Sequence, residues 1–334
     1  MKVLNKIMMM LLVLTMILSL GACGAKTEEA DTMDLTTDTT VETQDAEVEA
    51  NDVAVETEEA ESATNIDDIA IAYFVNMPEH IYKIDQKEMV ERVVAGDEMV
   101  VVDIRSAADY EAGHLKGAVN VPWGPAIGEQ ITKFPQDKEV MIYCYTGQTA
   151  GQAVMTLNAA GINARSVNLG WNLGLSKVEG IEGVTETDVN TFGSETYEVD
   201  LAVEEAIVAY YNGLADVADS VFKNYKISEA DLAAMIADEE DFYLISNRSA
   251  EDFAKGHIQG AVNIPFNKEL MSNISDVPKD KKVVVYCYSG QTAGQTTAAM
   301  RLMGYDIVSL NGGAGVAANP DMGWINKGYE LVTE

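Results

Sequence analysis

Short strand-like runs alternate with stretches of helical periodicity along most of this chain. The strand-like runs lie at residues 99–104, 140–143, 164–167, 242–246, 283–286 and 306–310. Apolar residues recur at helical spacing over residues 67–76 and 203–214, and Ala-, Met- and Leu-rich stretches follow residues 143 and 286. Regular alternation of strands and helices is typical of an α/β domain with a parallel sheet, so the pattern predicts this fold class.

Capping residues mark where several of the helices begin and end. Asp85 and Ser228 are expected N-caps of helices that run to about residues 95 and 237, and Ser106 and Ser249 are expected to open two short helices. The stretches after residues 143 and 286 end at a glycine, as helices often do. The helix positions are therefore predicted from two independent signals, periodicity and caps.

One ten-residue segment occurs twice with nine identical residues. Residues 143–152 read Tyr-Cys-Tyr-Thr-Gly-Gln-Thr-Ala-Gly-Gln, and residues 286–295 differ only in having serine for threonine. At the same spacing, residues 106–122 match residues 249–265, and the tripeptide at 82–84 recurs at 225–227. Matched segments over this length indicate duplicated domains, which we place at residues 66–190 and 200–334 and call the first and second repeat.

Each repeat carries a lone cysteine, Cys144 or Cys287, between an apolar strand and a helix. Small and polar residues follow it, so backbone N–H groups can turn inward around the sulfur. Such amides, together with the positive end of the helix, favour an anion at their centre. The thiolate is the nucleophilic form of cysteine, and the arrangement therefore predicts a reactive thiol.

Three motifs, the second and third of which occur in both repeats, resemble the rhodanese (sulfurtransferase) family. They are Asp103-Ile-Arg105 at a strand end, Gly-His-(Leu/Ile)-x-Gly-Ala-Val-Asn-(Val/Ile)-Pro, and Tyr-Cys-Tyr-(Thr/Ser)-Gly-Gln-Thr. The resemblance implies two tandem rhodanese-like domains, each with a central parallel sheet and helices on both faces. It also implies a six-residue active loop that begins with a nucleophilic cysteine. The implied substrate-binding residues are Tyr145, Thr146, Gly147, Gln148, Thr149, Tyr288, Ser289, Gly290, Gln291 and Thr292.

The activity that this resemblance implies is sulfur transfer without a cofactor. A thiolate would take the outer sulfur of a small donor, and a thiol or another nucleophile would remove it from the resulting persulfide. A non-enzymatic sulfur or redox sensor, or a binding scaffold with the same fold, is the alternative. A thiol–disulfide oxidoreductase is disfavoured because there is no Cys-x-x-Cys partner.

Three departures from the family pattern qualify this expectation. Tyr145 and Tyr288 stand where thiosulfate-using relatives commonly have a cation, so thiosulfate is expected to bind poorly. Ala150 and Ala293 occupy the place of the arginine in related phosphatases, which argues against phosphate-ester hydrolysis. The second repeat has Ser246-Asn-Arg248 where the first has the Asp103–Arg105 pair, so that pair is expected to be lost there.

Three further side chains are expected to support the loops. Asp103, Arg105 and Arg248 are expected to brace strand ends near the cysteines. His114 and His257, which the resemblance makes chiefly structural, are not expected to act as catalytic bases.

The N-terminus has the layout of an export signal. Lys2 and Lys6 precede an uncharged stretch, and residues 20–23 read Leu-Gly-Ala-Cys, which looks like a bacterial lipobox. This resemblance implies cleavage after residue 22 and lipidation of Cys23. The alternative is an ordinary secretory signal with an incidental cysteine. Residues 23–65 are strongly acidic and free of aromatic residues, so we expect a solvated tether. The protein is thus expected outside the cytoplasm, anchored to the cell membrane.

Charge and cysteine content exclude several other classes. A net charge of −32 disfavours nucleic-acid binding, which needs a basic surface. With Cys23 lipidated, only Cys144 and Cys287 remain, and two cysteines at equivalent points indicate two active centres more than a disulfide. The spacing predicts no metal site, flavin site or nicotinamide site, and it names no protein partner.

Overall fold

A computed structural model describes residues 64–333 of the 334-residue chain. The expected signal sequence, Cys23 and most of the expected tether lie outside these residues. None of the helices within residues 64–333 is long and apolar enough to cross a membrane.

The first repeat folds as predicted into alternating strands and helices. Its helices are α1 (Ile66–Val75), α2 (Gln86–Ala95), α3 (Ala107–Ala112), α4 (Pro125–Glu129) and α5 (Gln148–Ala159). Its strands are β1 (Lys83–Ile84), β2 (Met99–Asp103), β3 (His114–Leu115), β4 (Val119–Asn120), β5 (Glu139–Tyr143), β6 (Ala164–Val167) and β7 (Thr185–Glu186).

The second repeat has a similar succession of elements, but its described residues contain no α-helix equivalent to α4 and no strands equivalent to β3 and β7. Its helices are α6 (Leu201–Asn212), α7 (Glu229–Ala237), α8 (Ala250–Lys255) and α9 (Gln291–Leu302). Its strands are β8 (Lys226–Ile227), β9 (Phe242–Ser246), β10 (Ala261–Asn263), β11 (Lys282–Tyr286) and β12 (Ile307–Leu310). Strand β2 ends one residue before its predicted limit, and α6 begins two residues before its own.

Each repeat contains a five-stranded parallel sheet, which confirms the predicted α/β fold. The strand orders are β1-β6-β5-β2-β4 and β8-β12-β11-β9-β10. The first sheet is buried on both faces, since Val102 and Ile142 join one apolar cluster whereas Val101 and Met141 join another. The strands that lead to the cysteines, β5 and β11, lie at the centre, where each is paired with a neighbouring strand on both sides.

The predicted caps form. The side chains of Asp85, Ser106, Ser228 and Ser249 each accept a backbone N–H from the first turn of the helix that follows. The short antiparallel pairing of β3 with β7, in which His114 lies opposite Glu186, was not predicted because neither segment has a strand-like pattern.

Helices α5 and α9 cross each other and join the two repeats. The crossing depends on Gly151 and Gly294, since a methyl group added at Gly151 would lie 2.2 Å from the carbonyl oxygen of Gln291. At Gly294 the equivalent distance, to the carbonyl oxygen of Gln148, is 2.4 Å. The helices that follow the two cysteines therefore approach backbone to backbone, and the two cysteine loops lie on either side of this interface.

Candidate active site

The two cysteines are free thiols at the ends of central strands. Cys144 follows β5 and Cys287 follows β11, and each side chain is 2% exposed. Backbone N–H groups point at both sulfurs. The Sγ of Cys144 accepts from Gly147 at 3.1 Å and from Ala150 at 3.4 Å, and the Sγ of Cys287 accepts from Gly290 at 3.1 Å. The amide cradle expected from the sequence is thus present in both repeats.

A glycine turn supports each loop from behind. The N–H of Trp171 donates to the carbonyl of Cys144 at 2.7 Å, and the N–H of Ala314 donates to the carbonyl of Cys287 at the same distance. A methyl group at the adjacent Gly170 would lie 2.5 Å from the Cys144 carbonyl oxygen, so only glycine permits this approach. The turn after the next strand therefore fixes the loop that carries the thiol.

The tyrosines after the cysteines are held in place by acidic side chains. The Tyr145 hydroxyl donates to Asp109 at 2.5 Å, and the Tyr288 hydroxyl donates to Asp252 at 2.6 Å. The Tyr288 hydrogen bond, followed by those of Lys255 and Ser249, lowers the pKa of Asp252 to about 2. Because the carboxylate is then ionised at neutral pH, it accepts the tyrosine hydroxyl throughout the physiological range. Tyr145 is thus tied to α3 and Tyr288 to α8, and neither ring is free to swing over the thiol.

Four of the loop residues carry hydroxyl groups. Ser289 and Thr292 line a cleft of about 430 Å³ beside Cys287 and Tyr288. All four loop hydroxyls, those of Thr146, Thr149, Ser289 and Thr292, are partly buried. Among residues 64–333 none of these hydroxyls has a side-chain hydrogen-bond partner, which leaves them available to a bound anion.

Gln148 and Gln291 occupy a different place from the one expected. The Gln148 amide donates to the Ser309 hydroxyl at 2.8 Å, and the Gln291 amide donates to the Ser166 hydroxyl at 2.8 Å. Each glutamine thus reaches into the opposite repeat. Because α5 and α9 cross near their first turns, these side chains are buried in the interface and not on the open side of the loops.

The supporting residues differ between the repeats. Asp103 and Arg105 form a buried pair, with Nη2 of Arg105 2.6 Å from Oδ2 of Asp103, and the guanidinium also lies over Trp171. In the second repeat, as predicted, this pair is absent. Arg248 is buried without a carboxylate, and its Nε and the Ser246 hydroxyl have no hydrogen-bond partner within residues 64–333.

The two histidines are packed as structural residues. The Nδ1 of His114 lies 2.7 Å from the carbonyl oxygen of Tyr110, and its ring stacks on the Tyr110 ring. His257 makes the same contacts with Phe253. Each ring is thus tied to the helix that precedes it.

Two lysines that the sequence marked only as part of a repeated tripeptide belong to this site. Lys83, from the first repeat, lines the cleft at Cys287, and Lys226, from the second repeat, lies close enough to Cys144 to be affected by its charge. Their recurrence at the repeat spacing was the available signal. Nothing in the sequence indicated that each lysine would face the cysteine of the other repeat.

The chain is similar to several known proteins. The family model described as rhodanese-like domain matches residues 85–176 and 228–315. A sulfurtransferase of Allochromatium vinosum is 31% identical over 108 residues, which cover 32% of this chain and 94% of that protein. The thiosulfate sulfurtransferase PspE of Escherichia coli is 38% identical over 78 residues, which cover 23% of this chain and 74% of that protein. The crystal structure of a rhodanese-related protein from Thermoplasma volcanium has 28% identity, covers 33% of this chain and 98% of that chain, and gives a TM-score of 0.28.

Proposed function

The chain belongs to the rhodanese-like domain family, and on this premise we propose that it is a sulfurtransferase with two active centres, Cys144 and Cys287. The observation that carries the proposal is the thiol held by backbone N–H groups at the start of a twelve-residue helix, present in both repeats. Such a cradle stabilises a negative charge on the sulfur without a neighbouring base. Relatives named as sulfurtransferases support the same conclusion.

The proposed cycle has two steps. The cysteine thiolate attacks the outer sulfur of a donor, a new S–S bond forms, and the rest of the donor leaves with the electron pair of the broken bond. The persulfide so formed carries its charge on the outer sulfur, next to the loop hydroxyls of Thr146 and Thr149 or of Ser289 and Thr292. An acceptor thiolate then attacks that outer sulfur and releases the cysteine thiolate.

Sulfur uptake tests this proposal directly. The reduced protein is incubated with thiosulfate and, separately, with a low-molecular-weight persulfide, and its intact mass is measured. We expect each of Cys144 and Cys287 to gain one sulfur atom, and we expect Cys144→Ser and Cys287→Ser each to lose one of the two gains. If neither donor adds sulfur to verified free thiols, the chain is a non-enzymatic sensor or scaffold instead.

We also propose that the protein acts outside the cytoplasm, anchored through a lipid on Cys23. The support is the lipobox-like Leu20-Gly-Ala-Cys23 and the acidic stretch after it, which suits a spacer between a membrane and a folded unit. We expect Cys23→Ala to move the protein from the membrane fraction of its host to the soluble fraction or the medium. An unchanged membrane fraction would contradict the lipid anchor, and Cys144→Ser serves as the control that leaves fractionation unchanged.

A further inference from the structure

The cleft at Cys287 is built by both repeats. Cys287, Tyr288 and Thr292 come from the second repeat, whereas Ile81 and Lys83 come from the first. Lys83 lies on β1, the edge strand of its sheet, so its side chain can reach across the interface. Lys226 occupies the same position on the edge strand β8. The cysteine loops themselves contain no cation, and these lysines are the basic residues that the fold brings to them.

Hydrogen bonds across the interface fix the turn before each lysine. Gln295, on the helix that follows Cys287, accepts the Tyr73 hydroxyl at 2.6 Å and donates to the Ile81 carbonyl at 3.3 Å. The helix that begins beside a cysteine thus also holds the chain two residues before the lysine of the other repeat.

The second turn is held in the same way. Gln152 accepts the Tyr210 hydroxyl at 2.5 Å and donates to the Asn224 carbonyl at 3.2 Å. Both turns contain non-glycine residues with left-handed backbone, at φ 46° and 55° in the first repeat and 60° and 51° in the second. Such strain persists only where the surrounding contacts impose it, and here the same contacts impose it twice.

Each of the two lysines lies near a cysteine and has no carboxylate partner within residues 64–333, a lack of pairing that several other lysines of the chain share. Burial lowers the pKa of Lys83, and the charge of Cys287 opposes that effect. Burial likewise lowers the pKa of Lys226, and the charge of Cys144 opposes that effect. Each lysine is therefore a partly buried ammonium group whose nearby negative partner is the reactive sulfur.

We propose that Lys83 binds the sulfur donor at Cys287 and Lys226 binds it at Cys144, so that each active centre is completed by the other repeat and takes an anionic donor. This inference rests on the proposed sulfurtransferase function. It replaces the expectation that thiosulfate binds poorly, because that expectation considered only the residues of the loops. A cation opposite the sulfur attracts the donor and also stabilises the anion that leaves.

The step balances without a further reactant. With thiosulfate, the cysteine thiolate attacks the outer sulfur, the sulfur–sulfur bond of thiosulfate breaks, and sulfite leaves with its electron pair. One sulfur atom is transferred to the cysteine, which becomes a persulfide anion. The lysine keeps its proton throughout and contributes charge only.

The test compares both cysteines within one molecule. Lys83→Met and Lys226→Met, with Lys83→Arg and Lys226→Arg as charge-preserving controls, are made in the full chain. Persulfide formation at each cysteine is measured from the mass of the peptide that contains it. The two donors are thiosulfate and an alkyl persulfide whose carboxyl group is blocked, so that the second donor carries less negative charge. We expect Lys83→Met to slow the thiosulfate reaction about ten- to a hundredfold at Cys287 and to leave Cys144 unchanged. Lys226→Met should slow the thiosulfate reaction at Cys144 and leave Cys287 unchanged. The arginine variants should retain most of the rate at both cysteines. The rate with the less charged persulfide donor should change much less in every variant.

Three results would overturn the proposal: loss at the cysteine of the same repeat, no loss at either cysteine, or equal loss with both donors. Bound thiosulfate should protect each cysteine from an added alkylating reagent, and this protection provides a readout that does not depend on turnover. Lysine-dependent protection without any sulfur uptake in the unaltered protein would uphold this binding role and reject the sulfurtransferase function. Sulfur uptake at the same rate in the parent protein and in both lysine-to-methionine variants would reject the binding role and uphold the sulfurtransferase function.

Discussion

Replacing Gly151 with alanine is expected to lower the free energy of unfolding by about 3 kcal/mol. Alanine is the better helix former by about 1 kcal/mol, so helix propensity alone predicts the opposite sign. The added methyl group would lie 2.2 Å from the carbonyl oxygen of Gln291, which belongs to the backbone of α9 and cannot turn aside. The two helices must therefore separate, which weakens the interface that the buried amides of Gln148 and Gln291 stabilise.

Chemical denaturation measures this effect, and the chain offers two matched controls. Gly294→Ala places a methyl group 2.4 Å from the Gln148 carbonyl oxygen and should cost a similar amount. Gly193→Ala, at an exposed position with no atom within 4 Å of the added group, should change stability by less than about 0.5 kcal/mol. A Gly151→Ala protein at least as stable as the parent would mean that α5 and α9 do not cross at these glycines.

Local signals in the sequence were enough to predict most elements of the fold. Strand and helix positions followed from periodicity, and the caps at Asp85, Ser106, Ser228 and Ser249 placed the helix starts. The amide cradles around Cys144 and Cys287 could be predicted because they involve only residues within each loop. These features share one property, namely that the interacting residues are neighbours along the chain.

Contacts between the repeats could not be predicted in this way. The near-identity of residues 143–152 and 286–295 predicts duplicated domains that each carry a cysteine loop, but only the first half of each segment forms the loop. Gln148, Gly151 and Gln152 instead build a nearly twofold interface, in which the same residues must serve on both sides. A symmetric interface and a duplicated active site both require identical residues in the two copies. Sequence identity alone therefore does not tell which repeated residues serve the interface and which serve the active site.

The second large effect is expected at the buried ion pair of the first repeat. Asp103→Ser gives the first repeat the residue that the second has at Ser246, and we expect it to lower the free energy of unfolding by about 3–5 kcal/mol. Asp103 is fully buried and Arg105 is 4% exposed, so removing the carboxylate leaves a buried guanidinium without its partner. Burial by itself lowers the pKa of Arg105, but the hydrogen bonds and charge of Asp103 outweigh burial and raise it above its usual value.

The reciprocal change, Ser246→Asp, separates loss of the pair from general damage to the strand end. Arg248 is already buried, and its Nε lacks a partner within residues 64–333, so a carboxylate at residue 246 should raise stability. In denaturant unfolding, we expect the free energy of unfolding to fall in Asp103→Ser and to rise in Ser246→Asp. The double variant should recover part of the stability that Asp103→Ser loses. If Asp103→Ser is neutral, the ring of Trp171, which has no counterpart beside Arg248, holds Arg105 on its own. The end of β2, which is paired with the end of β5 just before Cys144, would then depend on aromatic stacking and not on the ion pair.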